Sequence, residues 1–221
     1  MNVCAVVFGR DPSKGKTRLA SHVGRPLATR FARAFLIDTV ASLRRAECAH
    51  IVLSTPDVDL DWGFLQGVEV WAQQGLCLGA RLEEAARTAL GSWPKAVLLG
   101  ADSPGIPSDL LGEVVQGLAV HDVVIAPATD GGFWALGART VWGGALDGVQ
   151  WSHETTGVET AEAFRRAGFN VGQGPTGWDV DDVRDLVALQ AQDGAAHMPA
   201  TRKVLASSEA QEVLSKVLPT S

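Results

Sequence analysis

The chain has 221 residues, 46% of them apolar and 20% charged, with a formal net charge of −6. Those figures describe a globular chain with a substantial core, expected as a single domain over 1–221 with a helical tail from about 193. No apolar run reaches the length of a membrane span, the acidic balance argues against nucleic acid as a partner, and the apolar opening lacks a basic leader, so a cytoplasmic location is expected.

In chain order, Val3–Phe8 reads as a buried strand, and Pro26–Arg45 as an amphipathic helix with Phe31, Phe35, Leu36, Val40 and Leu43 near helical spacing. Strands are predicted at Ile51–Ser54 and Val68–Trp71, a helix from about Gly79 to Leu90, and a wholly apolar strand at Ala96–Gly100. Ser108–Leu118 reads as helix, Asp122–Ala126 and Gly132–Leu136 as strands, and Gly157–Ala167, Asp182–Gln192 and much of Ala200–Val217 as helices. Strands alternating with helices imply an α/β fold, a mostly parallel central sheet with helices on both faces. Cys4, Cys48 and Cys77 fit no zinc spacing and are expected as buried free thiols.

Ligands of such sheets sit beyond the C-terminal ends of the strands, so the polar stretches that follow apolar runs carry the information. "FGRDPSKGKTRLA" (Phe8–Ala20) ends like a phosphate-binding P-loop, but Gly9 and Gly15 are separated by five residues where that motif has four, and Pro12 removes a backbone donor. Gly15, Lys14, Lys16 and Arg18 still supply close backbone approach and positive charge for phosphate, although a solvated basic turn has the same composition. "GADSPGIP" sets Asp102 directly after the most apolar strand, where its carboxylate suits a hard divalent cation or an Asx-turn before Pro104. "GWDVDDVRDL" clusters Asp179, Asp181, Asp182 and Asp185 at a helix start, where acids serve equally as caps. His153, a lone histidine outside any metal-ligand spacing, reads as structural or exposed rather than as a base or metal ligand.

"KGKTRLA", "QGLCLGAR" (Gln74–Arg81), "GADSP", "APATDGGFWALG" (Ala126–Gly137), "VQWSHETTGVET" (Val149–Thr160) and "DVDDVRDL" (Asp179–Leu186) occur in that order. Together, over about Val3–Leu189, they resemble a small bacterial group of GT-A-type nucleotide-diphospho-sugar transferases, formerly a domain of unknown function. Some of its members are assigned to arsenosugar biosynthesis. More distantly the chain is similar to molybdenum-cofactor and 2-phospholactate nucleotidyltransferases. The resemblance implies a Rossmann-like GT-A fold, with Lys16 and Arg18 matching K-T-R, Asp102 the central Asp, and Asp181 the late metal-binding position. Asp130, Gly131 and Gly132 match D-G-G-[YF], and Trp151 with Ser152 matches W-S. Arg10 stands where Lys is common, the first loop is two residues shorter, "DGGFW" replaces "DGGYY", and "DVDDV" replaces "DVDTP".

The resemblance thus implies a metal-dependent glycosyltransferase acting on a nucleotide sugar and a small-molecule acceptor. Its nucleotide and phosphates would contact Gly9, Arg10, Lys14, Lys16, Arg18, Gln74 and Arg81. Mg2+ or Mn2+ would bind Asp102 and Asp181, and sugar or acceptor would meet Asp130, Gly131, Gly132, Phe133 and Trp151, with Asp130 and Asp102 as catalytic candidates. Nucleotidyl transfer from an NTP to a phosphorylated acceptor, and non-catalytic nucleotide binding, are the competing readings.

Overall fold

Six apolar runs and one short polar one hydrogen-bond into a single sheet. The computed structural model describes residues 1–191 and 197–217, so the expected helix end at Gln192 and parts of the tail lie outside the described residues. The strands are β1 (Cys4–Phe8), β2 (His50–Thr55), β3 (Glu69–Ala72), β4 (Ala96–Gly100), β5 (Val123–Pro127), β6 (Phe133–Ala138) and β7 (Val171–Gln173), ordered β3-β2-β1-β4-β6-β5-β7. All neighbours are parallel except β6, which runs antiparallel between β4 and β5. The sequence reading lacked β7, because three residues are too few to show an alternation.

Strand alternation sends β1 side chains to two cores. Val3, Ala5 and Val7 meet α2 (Arg25–Arg45) and α4 (Ser108–Gly117), while Cys4 and Val6 meet the face covered by α3 (Leu78–Leu90) and α5 (Thr156–Arg166). The far side of α2 carries Leu27, Phe31 and Phe35 into a third cluster with α1 (Thr17–Val23), α6 (Val183–Ala191), α7 (Pro199–Leu205) and α8 (Ser208–Val217). The first helix was not expected apart from α2; it ends at Gly24, whose φ of 79° turns the chain into Arg25–Pro26. The tail helix is split at Ala206–Ser207, and the Ser207 hydroxyl accepts the Ala210 N–H at 3.4 Å. Asp38, fully buried on α2, accepts the Ala200 and Thr201 N–H groups at 3.1 and 2.7 Å, satisfying donors that start α7.

Of the cysteines, Cys4 is buried and Cys48 half-buried, and burial pushes their thiols up to about 12 and about 11. Cys77, expected inside, is exposed, because it lies in the loop before α3 rather than on a packed face.

Candidate functional site

Register puts the ends of β1 and β4 side by side, Phe8 opposite Gly100, and the β5–β6 turn begins beyond the same rim. The chain leaves β1 toward α1 and β2 on one side, and β4 toward α4 and β5 on the other, so the loops part and leave a crevice at this switch point. Backbone bonds tie the rim together: the Ala101 N–H donates to Phe8 O at 3.2 Å, the Val180 N–H to Asp102 O at 2.9 Å, and the Gly177 N–H to Pro127 O at 2.9 Å. Four loops distant in sequence therefore share one edge.

The first of two cavities on this edge has a volume of about 350 Å³. Arg10, Lys14, Lys16, Arg18 and Arg81 line it, opposed by Asp11, Asp102 and Asp181. Gly9 lines it where β1 ends and is tightly packed, since a Cβ there would stand 2.9 Å from Leu53 Cδ1. Lys16 is the buried cation, its side chain 6% exposed, and its backbone takes a left-handed φ of 50°. Its Nζ lies 2.9 Å from Asp102 Oδ2 and 3.1 Å from Asp181 Oδ1, and also donates to Val180 O. Burial alone would lower the Lys16 pKa, but the two carboxylates outweigh it and the net direction is up. Lys16 thus stays charged. Lys14 leans outward on Asp57 at 2.6 Å, whereas Arg18 is exposed and approaches Asp181 at 3.5 Å.

The four acids of "DVDDVRD" divide into two jobs. Asp182 caps α6, its Oδ1 accepting the Arg184 N–H at 2.7 Å, while Asp185 reaches back to the Asp181 and Asp182 N–H groups at 2.8 Å each. This reciprocal capping holds Asp179 and Asp181 in fixed places before the helix. Ligand oxygens of Asp130, Asp179 and Asp181 all lie within 4.8 Å of one another. Asp102 is not in this group: Lys16 stands between it and Asp181, so the expected Asp102–Asp181 pair is bridged by an ammonium. Asp179, one of the acids at the helix start, lies beside Asp130.

Burial first, then the charges of Asp130 and Asp181, push the Asp179 carboxyl up to about 7 against an ordinary 3.8. Between those pH values the native state keeps a proton that the unfolded chain has lost. Raising the pH through that window therefore destabilises the metal-free fold, with the loss complete above about pH 7. Urea unfolding in chelator at about pH 5 and about pH 8 is expected to show a smaller fall for Asp179→Asn than for wild type; equal falls would show that Asp179 is not the titrating group.

The second cavity, about 510 Å³, shares Phe8, Arg18, Leu78 and Asp181 with the first. One wall is the "TDGG" turn: the Gly132 N–H bonds Asp130 Oδ1 at 2.9 Å, and Gly131 has a φ of 89°. The other wall is Trp151–Glu154, held because the Gly157 N–H donates to Gly131 O at 2.9 Å. Phe133 lines this space, while Trp134 is 2% exposed and donates from Nε1 to Pro175 O at 3.0 Å. His153 is exposed at the mouth. Trp151, Asp130 and Gly132 line this one cavity, and Gly131 shapes the turn behind them.

Gln74 is the candidate that lies elsewhere. It lines a separate recess of about 280 Å³ that also touches Arg81, and the neighbouring Gln73 faces the first cavity instead. The Gln73 N–H extends the β3 ladder to Thr55 O at 3.0 Å, so successive side chains still alternate there.

Residues 36–153 match the family described as "Uncharacterized protein conserved in bacteria (DUF2064)", just over half of the chain, and the chain belongs to that family. A solved structure of a candidate nucleotide-diphospho-sugar transferase from Desulfovibrio desulfuricans G20 is similar, with a TM-score of 0.85, 29% identity and 97% of each chain covered. A 2-phospho-L-lactate guanylyltransferase of Methanothermobacter thermautotrophicus is 25% identical over 133 residues, which is 60% of either chain. A Mycobacterium tuberculosis protein solved in complex with manganese shares the fold at a TM-score of 0.53 and 19% identity, with 87% of this chain and 100% of that one covered. The Desulfovibrio and Methanothermobacter relatives are described as transferases, and the two solved structures share the α/β sheet of this chain. Among the described residues, no helix is long and apolar enough to cross a membrane.

Proposed function

We propose that the chain is a divalent-metal-dependent glycosyltransferase, binding a nucleotide-diphospho-sugar in the first cavity and its small-molecule acceptor in the second. The observation that carries this reading is the division of charge: five Lys and Arg side chains line the first cavity, and only Arg18 of them also lines the second. Lys16 and Arg18 would hold the diphosphate, Lys16 being pre-positioned by Asp102. Arg10, Lys14 and Arg81 would add field around the nucleotide.

The acid group fits a hard ion. Its donors are all carboxylate oxygens within 4.8 Å of one another, a concentration of negative charge that a divalent cation relieves. Asp179 and Asp181 are the residues that would hold Mg2+ or Mn2+. Such an ion supplies Lewis-acid stabilisation to a leaving diphosphate. Asp130, on the second cavity, would take the proton of the acceptor hydroxyl. That oxygen forms its new bond to the anomeric carbon as the bond from that carbon to the diphosphate breaks, and the nucleoside diphosphate leaves with the electron pair.

The guanylyltransferase similarity favours a second reading, nucleotidyl transfer with release of pyrophosphate. Thermal-shift titrations with UDP, GDP, CDP, their sugars and the NTPs, with and without Mg2+ or Mn2+, come first. One nucleotide series is expected to stabilise the protein in a metal-dependent way, and product analysis with that series should then show a free nucleoside diphosphate. Pyrophosphate as the product would replace the glycosyl reading with the nucleotidyl one. No response to any nucleotide would remove both.

A further inference from the structure

The floor of the second cavity is closed by Leu82 on α3 and by β4, where Leu98 packs on the α3 side of the sheet and Leu99 on the other, each at most 4% exposed. Phe133 and Trp151, both half-buried, form its sides. The Trp151 position is a built feature. Gly79 at the start of α3 has no side chain, and a Cβ there would come within 3.2 Å of Trp151 Cζ2 and 3.1 Å of Leu146 Cβ. The glycine lets the indole lie against the helix and present its surface to the cavity.

Above this floor the charge is mostly negative. Asp130, Glu154 and Asp181 line the mouth, and Arg18, shared with the first cavity and already facing Asp181, is the single Lys or Arg among the described lining residues. In the metal-free protein a phosphomonoester here would meet three carboxylates, with Arg18 already facing Asp181 and only His153, exposed at the mouth, as a further basic neighbour, so its desolvation would be poorly compensated. A hydroxyl compound with an apolar ring would instead lay the ring against Phe133 and the indole of Trp151, and leave its oxygen near Asp130.

We propose that the second cavity takes an acceptor without phosphate, a hydroxyl compound bearing an apolar ring that packs between Phe133 and Trp151. This rests on the glycosyl-transfer reading for the word acceptor, whereas the binding preference follows from the lining alone. Room for the donor sugar lies at the junction of the two cavities, beside Phe8, Leu78 and Asp181, so the ring occupies the deeper part.

The probes are 2-phenylethanol, its phosphate ester 2-phenylethyl phosphate, and glycerol 3-phosphate, titrated into metal-free protein and followed by NMR. The alcohol is expected to bind about tenfold or more tightly than its phosphate ester, and glycerol 3-phosphate not to bind, each tenfold corresponding to about 1.4 kcal/mol. Trp151→Ala should weaken the alcohol by about tenfold, and Glu154→Lys, on an exposed residue that leaves the floor intact, should narrow the gap between alcohol and ester. An ester that binds wild type as tightly as the alcohol overturns the proposal, and so does an alcohol that fails to bind or ignores Trp151→Ala. No nucleotide or metal is present, so a failed donor reading shows only in the nucleotide titrations and a failed acceptor class shows only here.

Discussion

Asp181→Asn is expected to lower transfer by about 10²–10³-fold while leaving the fold nearly as stable as wild type. Among the described residues, Asp181 is the one carboxylate that lines both cavities. It also faces Lys16 at 3.1 Å and Arg18 at 3.5 Å, and lies within the acid group with Asp130 and Asp179. Asparagine keeps the shape but removes one charge from the proposed ion site and turns an amide toward two cations. The start of α6 should survive, because the Asp181 backbone N–H, not its side chain, is what bonds Asp185. The neighbouring Asp182→Ala makes the opposite experiment: it removes the α6 cap and should cost about 0.5–2 kcal/mol of stability while transfer persists. Steady-state transfer and urea unfolding on both variants separate the roles. Wild-type transfer by Asp181→Asn would end the assignment of this carboxylate to the chemistry.

The contrast between these adjacent aspartates also shows where sequence reading stops. Apolar runs such as Ala96–Gly100 announce strands because a buried strand needs no polar face, and Asp102 after such a run is placed at the rim by topology alone. Lys16, Arg18, Asp130 and Trp151 were legible in the same way, as residues following strands or standing in recognisable motifs. Which acids share a cluster was not legible. Asp130 and Asp179 come from loops brought together through the pairing of Ala128 with Gly177, a tertiary contact with no local signature. Nor does a charge pattern reveal that Lys16 lies between Asp102 and Asp181, because that depends on burial of its stem against Phe35, whose ring centroid is 5.9 Å from Nζ. Gln74 was misplaced for a simpler reason. The pleat continues one residue past β3, and a shift of one position changes the face.

Gly131→Ala carries the other large effect, on stability and on the second cavity together. A φ of 89° already costs an L side chain about 1–3 kcal/mol. The added Cβ would also stand 1.8 Å from Glu154 O, a backbone atom that no side-chain rotation can move aside. Relief requires the Trp151–Glu154 wall to retreat, and that wall is anchored by the Gly157 N–H to Gly131 O bond, itself close enough that a Cβ on Gly157 would lie 2.6 Å from Gly132 O. The turn and the start of α5 are therefore packed backbone to backbone, and neither has slack. Urea unfolding should register a loss of about 3 kcal/mol or more, and ligands of the second cavity should weaken further than nucleotides do at Lys16. Gly143→Ala is the matched comparison: its Cβ meets nothing within 4 Å, so it should change stability by no more than about 0.5 kcal/mol. If Gly131→Ala proves as harmless as Gly143→Ala, the "TDGG" turn does not press on the Glu154 loop, and the second cavity must be walled differently.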